Sequence, residues 1–320
     1  MRPQFNSVFS PFLNEFLDSR EKSGVRCIGA DARYCKRLDN FFVNEKFDTI
    51  SFTQDDAEKW KKPLPNESET DRYKRINYTK RFFEYLFLIG YPVSQLKDIK
   101  SPHSSFTPHI YTDDEIIRYF KAVDTYEPVS NKKNRIQLPV LFRILYCCGT
   151  RITETTLIRK IDVDLKEGII RLSETKNAKQ RYVVMSDSLL KLMREYADKV
   201  FYLLSEEDYI FTTQKGTPLT ADWLNEVHLK ILTKASIPYI GGGHGPRIHD
   251  FRHSFATHAF KQMIDSNMDM YVSLPILSTY LGHQSISATE KYLRLTVSMY
   301  PYIEEKFKVS LDQIFGEEEL

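Results

Sequence analysis

Residues 248–258 read IHDFRHSFATH, a stretch that sets three histidines and an arginine on one amphipathic helix. At helical spacing His249 and Arg252 lie one turn apart on neighbouring faces, while Phe251, Phe255 and Ala259 form a row suited to a core. A histidine can take up a proton and an arginine presents a planar fork of donors, so the pair suits proton transfer beside an anionic group. Zinc is the rival chemistry. His253 and His258 diverge on a helix, and neither HExxH nor a cysteine pair accompanies them, so no metal and no cofactor is expected. By itself His-x-x-Arg is common in helices that only pack, and it gains meaning from its company.

Four other short stretches supply that company. GTRITE (149–154) offers Arg151 at a helix start with Glu154 one turn on; the polar segment between two strand-like runs offers Lys176; LGHQS offers His283 after a glycine; SATEKYL offers Tyr292 nine residues later. Each alone is bland: a surface arginine, a solvated lysine, a loop histidine, one of 19 tyrosines. In this order and spacing they resemble the tyrosine recombinases, also called the phage integrase family. Arg151 matches that family's first arginine, Lys176 its hairpin lysine, His249 and Arg252 its HxxR pair, His283 the histidine of its LGH, and Tyr292 its nucleophile. Glu154 matches the acidic residue that follows the first arginine. Two departures concern loop geometry: Thr150 stands where the family often has leucine, and SNMDMYVSLPILSTYLGH is longer than its usual spacer.

The residue types suit the chemistry that the resemblance implies. A DNA phosphodiester gains charge on its non-bridging oxygens during in-line attack, and two arginines can hold those oxygens without a metal; Arg151 and Arg252 form that clamp. A phenol with a pKa of about 10 is protonated at neutral pH, so Tyr292 needs the field of the clamp and a proton acceptor, the part the family gives to His249. Lys176 is placed to protonate the leaving 5′ oxygen, His283 to donate to the phosphate, and Glu154 to orient its neighbours. The implied product is a 3′-phosphotyrosyl enzyme with a free 5′ hydroxyl. SATE (287–290) fits a capping box that would begin a short helix bearing the tyrosine. Tyr300 and Tyr302 compete as nucleophiles but lack the histidine spacing.

Periodicity predicts the elements that must position these residues. From Ser10 to about Leu88 the pattern is helical, in FLNEFL, ARYCKRLDNFF, DAEKW and DRYKRINYTKRFFEYLFLIG, which predicts a small all-helical domain over residues 1–96. It looks like the family's core-binding (SAM-like) domain. In its last helix Arg72, Lys74, Arg75, Lys80 and Arg81 cluster beside Tyr73, Tyr78, Phe82 and Phe83, a mixture suited equally to phosphate contact and to a solvated face. Residues 97–110 hold two prolines and three serines without helical period, as a linker would. Thr112, placed before acidic residues and an apolar stripe, signals a capped helix start. QLPVLFRILYCCG ends a helix at Gly149, and TRITETTLIR starts the next. IIRL and RYVVM around a polar loop predict an antiparallel hairpin, and helices return after Ser186. The fold class is therefore multi-domain and mainly α: the helical N-terminal domain, then an α+β catalytic domain over 111–300 with a small antiparallel β hairpin, then a tail over 301–320. Phe307, Val309, Leu311 and Ile314 of the tail are too few for a core of their own and must pack on something; the resemblance implies exchange to a neighbouring protomer.

With 320 residues, 42% of them hydrophobic, the chain can bury two unequal cores. Cys27, Cys35, Cys147 and Cys148 form no CxxC pair, and the adjacent two sit in an apolar run as small hydrophobes would, which suits a reducing cytosol. The absence of a long apolar run and of a secretory pattern leads to the expectation of a cytoplasmic protein with no membrane partner. The net charge of +2 divides into +6 over residues 1–300 and −4 over the tail, an excess that permits a polyanionic partner without demanding one. The resemblance implies the partners: double-stranded DNA recombination sites, a homo-tetramer on two paired sites, and accessory proteins or a second recombinase. It implies integration or excision of a mobile element. Two other classes share parts of the pattern. A type IB topoisomerase uses the same side chains to relax DNA, but the compact length and the LGH spacing oppose it. A non-catalytic DNA-binding protein on the same fold would not need the full residue set.

Overall fold

Apolar residues at three- and four-residue spacing place four helices in the N-terminal third: α1 (Ser10–Lys22), α2 (Ile28–Asn44), α3 (Gln54–Lys61) and α4 (Glu69–Leu88). The computed structural model describes residues 3–24, 28–94, 96–102, 107–128, 131–173, 180–241 and 245–283, together with 289, 292, 294–296, 299, 300 and 303. The chain divides into two compact units, Met1–Ser105 and Phe106–Leu320.

Aromatic rings dominate the core of the first unit, because each buries a large apolar area at little entropic cost. Phe9 stacks on Phe42 with centroids 3.9 Å apart, and Phe52 on Phe83 at 4.1 Å. Thr53 and Asp56 form a capping box at α3, and Ser68 accepts from the Asp71 N–H at the start of α4. The basic cluster on α4 does not stay together as a surface. Arg75 is fully buried: it donates to Glu67 Oε1 and Oε2 at 2.7 and 2.8 Å and to the Trp60 carbonyl at 2.5 Å, with its guanidinium 4.4 Å from the Trp60 ring centroid. A charge survives burial only when paired and hydrogen-bonded, so Arg75 locks α4 to the segment before it and is removed from the candidate phosphate contacts. Arg72 is half-buried against the Lys61 carbonyl, and Lys80 pairs with Asp98. Lys74 and Arg81 are exposed.

The second unit contains α5 (Asp113–Asp124), α6 (Asn134–Cys147), α7 (Ile152–Thr156), α8 (Asp187–Val200), α9 (Ala221–Lys234), α10 (Ile248–Asp265) and α11 (Met270–Leu281). The hairpin forms as β2 (Ile169–Leu172) and β3 (Arg181–Val184), in register with Ile170 opposite Val183, and a short β1 (Val163–Asp164) adds a third antiparallel strand in the order β1-β2-β3. Thr112 and Glu115 make the capping box that starts α5. Gly149 adopts φ +58°, and a Cβ there would lie 2.3 Å from the Phe255 ring, so both the turn and the close approach require glycine. Cys35 and Cys148 are buried and Cys147 is half-buried; Cys27 lies outside the described residues.

Helix α10 differs from the two-sided helix expected. Phe251 is buried and Phe255 and Ala259 are half-buried, but Arg252, His253, Ser254, Ala256, Thr257 and Phe260 are buried as well. The helix is enclosed on almost every side. Tyr111 stacks on Phe251 at 4.8 Å, while Ala256 and Phe260 join Leu274, Leu277, Tyr292 and Ile303 in a second cluster. Two of its buried polar side chains are accommodated by pairing: Ser254 donates to the Asp250 carbonyl and accepts from the Tyr111 N–H, and Asp250 accepts from Arg247. No described helix is long and apolar enough to cross a membrane.

Candidate active site

Arg151 is the residue before α7. Its backbone N–H donates to Glu154 Oε2 at 2.8 Å and its Nη1 to Oε1 at 2.7 Å. Glu154 is 2% exposed and also receives both Nη groups of Arg181, at 2.8 and 2.7 Å. Burial alone would raise its carboxyl, but the bonds and charge of Arg181, then those of Arg151, outweigh it and hold the pKa at about 2. The carboxylate is therefore ionised and orients two guanidiniums at once.

Arg252 is the fifth residue of α10, 1% exposed, donating to the Gly149 carbonyl at 2.8 Å and the Leu281 carbonyl at 2.5 Å. Burial, with the positive charge of Arg151 added, lowers its pKa to about 10, still charged at neutral pH. Arg181 Nε takes the neighbouring Tyr280 carbonyl at 3.0 Å. The last carbonyls of a helix lack internal partners and carry partial negative charge, so two arginines cap the end of α11. Gly282, at φ +67°, then turns the chain into His283, whose Nδ1 is 2.8 Å from Thr289 Oγ1.

Tyr292 is 1% exposed. Its ring lies parallel to that of His283, centroids 6.0 Å apart, and 5.5 Å from His253. Burial raises the phenol above its ordinary pKa, while Arg252, by charge and a hydrogen bond, and Arg151 pull it part of the way back. His249 is exposed, edge-on to His253 at 4.9 Å, and borders a groove of about 370 Å³ with Ile152, Asn225, Pro246 and Arg247. His228, in the wall of that groove, faces Tyr119 Oη at 2.7 Å and the Pro246 carbonyl at 3.2 Å. Burial drives its pKa down to about 4, against the pull of the Pro246 bond, so it is neutral. Nε2–H then donates to Pro246 and Nδ1 accepts from Tyr119.

Thus Arg151, Glu154, Arg252, His283 and Tyr292 come together, and His249 lies beyond His253 at the rim. Lys176 lies outside the described residues, as do Ser287 and Glu290, the two partners of the expected SATE capping box, and Phe307, Val309, Leu311 and Ile314. Two residues of the site escape the motif reading. His253 was weighed only as a metal ligand, yet it stands between His249 and Tyr292. Arg181 carried a signal: it shares the buried face of β3 with Val183, and a charge on an inward face needs a partner.

The chain matches the model of the phage integrase family over residues 111–299. It belongs to that family. The tyrosine recombinase XerC of Staphylococcus saprophyticus is 25% identical over 263 residues, covering 80% of this chain and 82% of its own length. Tyrosine recombinase XerA of Thermococcus kodakarensis is 28% identical over 223 residues, 70% of each chain. Among solved structures, XerH recombinase bound to palindromic difH substrate superposes with a TM-score of 0.66 at 20% identity, covering 88% of this chain and 79% of that one. The Tn1549 transposon integrase in complex with transposon right end DNA gives 0.63 at 16% identity, with coverage of 88% and 93%. These two likenesses show the fold, mainly helical with a small antiparallel sheet. The chain is a tyrosine recombinase, an enzyme that cuts and rejoins DNA strands, and DNA is its partner. The relatives are recombinases, which favours recombination over the topoisomerase and non-catalytic alternatives.

Proposed function

We propose that this recombinase integrates and excises a mobile element by in-line attack of Tyr292 on a DNA phosphodiester. The tyrosine Oη–P bond forms as the P–O5′ bond breaks, leaving a 3′-phosphotyrosyl enzyme that a 5′ hydroxyl from a second duplex resolves. Arg151 and Arg252 hold the non-bridging oxygens, His283 adds a donor, and Glu154 keeps Arg151 in place. The phenol starts protonated, so its proton leaves during attack, to His249, while Lys176 protonates O5′. The observation that carries this reading is that the buried Tyr292 ring lies parallel to His283, 6.0 Å away, just past the end of α11 held by Arg252, which also takes the Gly149 carbonyl two residues before Arg151, groups drawn from motifs far apart in the chain. Outside the site, Lys74 and Arg81, with the half-buried Arg72 and Lys80, are the phosphate contacts offered by α4. Four protomers on two paired sites, with the tail passed between neighbours and accessory proteins or a second recombinase assisting, complete the reading.

Tyr292→Phe tests it. Binding to the recombination site should survive, because the arginines and the helical unit make the phosphate contacts, and covalent capture of a nicked suicide substrate on a denaturing gel should disappear. An adduct that persists in the variant would move the nucleophile, with Tyr300 the first suspect.

A further inference from the structure

Arg181 holds no role in the reaction as written above, yet the separate motifs of the site converge on its side chain. It is the first residue of β3 and its side chain is 11% exposed. Both Nη groups take the two oxygens of Glu154, the carboxylate that also accepts from Arg151. Nε donates to the Tyr280 carbonyl, one residue before the Leu281 carbonyl held by Arg252. Its Cδ lies against Gly282, where a Cβ would approach to 3.2 Å. Backbone pairing sets Arg181 opposite Leu172 at the loop end of the strand pair, and Lys176 belongs to the segment joining those strands. One planar group thus touches the first-arginine motif, the strand pair and the turn into His283. A bidentate guanidinium–carboxylate pair fixes orientation as well as distance, which apolar packing at the same place would leave free.

We propose that Arg181 is a positioning residue for strand cleavage: through Glu154 it orients Arg151, and through the Tyr280 carbonyl it sets the turn that presents His283. The proposal rests on the reading of Tyr292 as the nucleophile. It predicts a loss in the rate of phosphotyrosyl formation at saturating DNA, with affinity spared. A merely structural ion pair would behave differently, since replacing both of its charges together restores stability and everything that depends on stability.

The test compares wild type, Tyr292→Phe, Glu154→Gln, Arg181→Gln and the double variant Glu154→Gln/Arg181→Gln in three measurements: melting temperature, half-site affinity, and the rate of covalent capture of a nicked substrate at saturation. Arg181→Gln should capture about tenfold more slowly or worse, with half-site affinity within about threefold of wild type. The double variant should recover melting temperature but not rate, and its rate loss should fall short of the product of the two single losses, because the two substitutions share the path through Glu154. Recovery of rate together with melting overturns the proposal, as do rate losses that multiply or an affinity loss equal to the rate loss. Should Arg181→Gln fail to fold, Arg181→Lys, which keeps the charge but not the paired donors, takes its place, and capture by that variant at the wild-type rate overturns the proposal. Failure of wild type to form an adduct, or formation of one by Tyr292→Phe, overturns the nucleophile reading instead.

Discussion

Glu154 shows how a single buried carboxylate ties the stability of this enzyme to pH. Its folded pKa of about 2 lies below its ordinary 4.5, so the stability it contributes is fully present above pH 4.5 and is lost as the pH falls toward 2. Glu154→Gln should therefore cost on the order of 3 kcal/mol at neutral pH, with the gap to wild type narrowing on acidification. Denaturant melts at neutral and acid pH measure this, and a gap that widens in acid would contradict it. Gly149 makes a second prediction at this scale. Gly149→Ala places a methyl group in the Phe255 ring at a positive φ. The left-handed backbone costs about 1 kcal/mol and the overpacking roughly 1–3 kcal/mol, so the melting temperature should fall clearly. Covalent capture should fall too, because the Gly149 carbonyl receives Arg252. An unchanged melting temperature would mean that Phe255 moves aside freely.

Among the elements, the β2–β3 pair bears most directly on mechanism. Its register holds both ends of the segment that contains Lys176, while Arg181 anchors one end to Glu154. If Lys176 is the general acid, Lys176→Ala should cleave ordinary DNA slowly yet recover most of its rate on a substrate with sulfur in place of the leaving oxygen, since a thiolate departs without a proton. Arg252→Ala, which removes charge from the phosphate itself, should gain nothing from sulfur. Equal behaviour of the two variants would assign the acid elsewhere, with Lys179 the nearest alternative. Helix α10 complements the hairpin: enclosed by Tyr111 on one side and the α11 cluster on the other, it presents Arg252 from a rigid support.

For the whole molecule, the proposal of an exchanged tail leads to a truncation experiment. Ile303 is 1% exposed in the cluster that contains Leu274, Leu277 and Tyr292, so a cut must follow Ile303 to leave that packing intact. Truncation there should spare binding of one protomer to one half-site but impair cooperative filling of the second half-site and cleavage. Gel shifts on single and paired half-sites, read beside covalent capture, measure the difference. Unchanged cooperativity would return the tail to its own protomer.

What the sequence determined by itself was local or ordinal. The helix start at Thr112, the strand-like runs of the hairpin and the turn at Gly149 are decided by neighbours a few residues apart, so a window of the chain contains their cause. The order and spacing of Arg151, His249, Arg252, His283 and Tyr292 were legible only through their resemblance to a family, and chemistry then accounted for the residue types. Tertiary structure decided what each charge became. Arg75 and Arg181 are both arginines beside aromatic or β-branched residues, and one locks the first unit while the other joins the parts of the catalytic site. The difference lies in Glu67 against Glu154 and the Tyr280 carbonyl, the latter two far off in the chain. The raised phenol of Tyr292, the neutral His228 and the near-complete burial of α10 have the same origin. Desolvation and pairing depend on groups that meet only when the chain folds, and no short stretch of sequence contains both sides of such a contact.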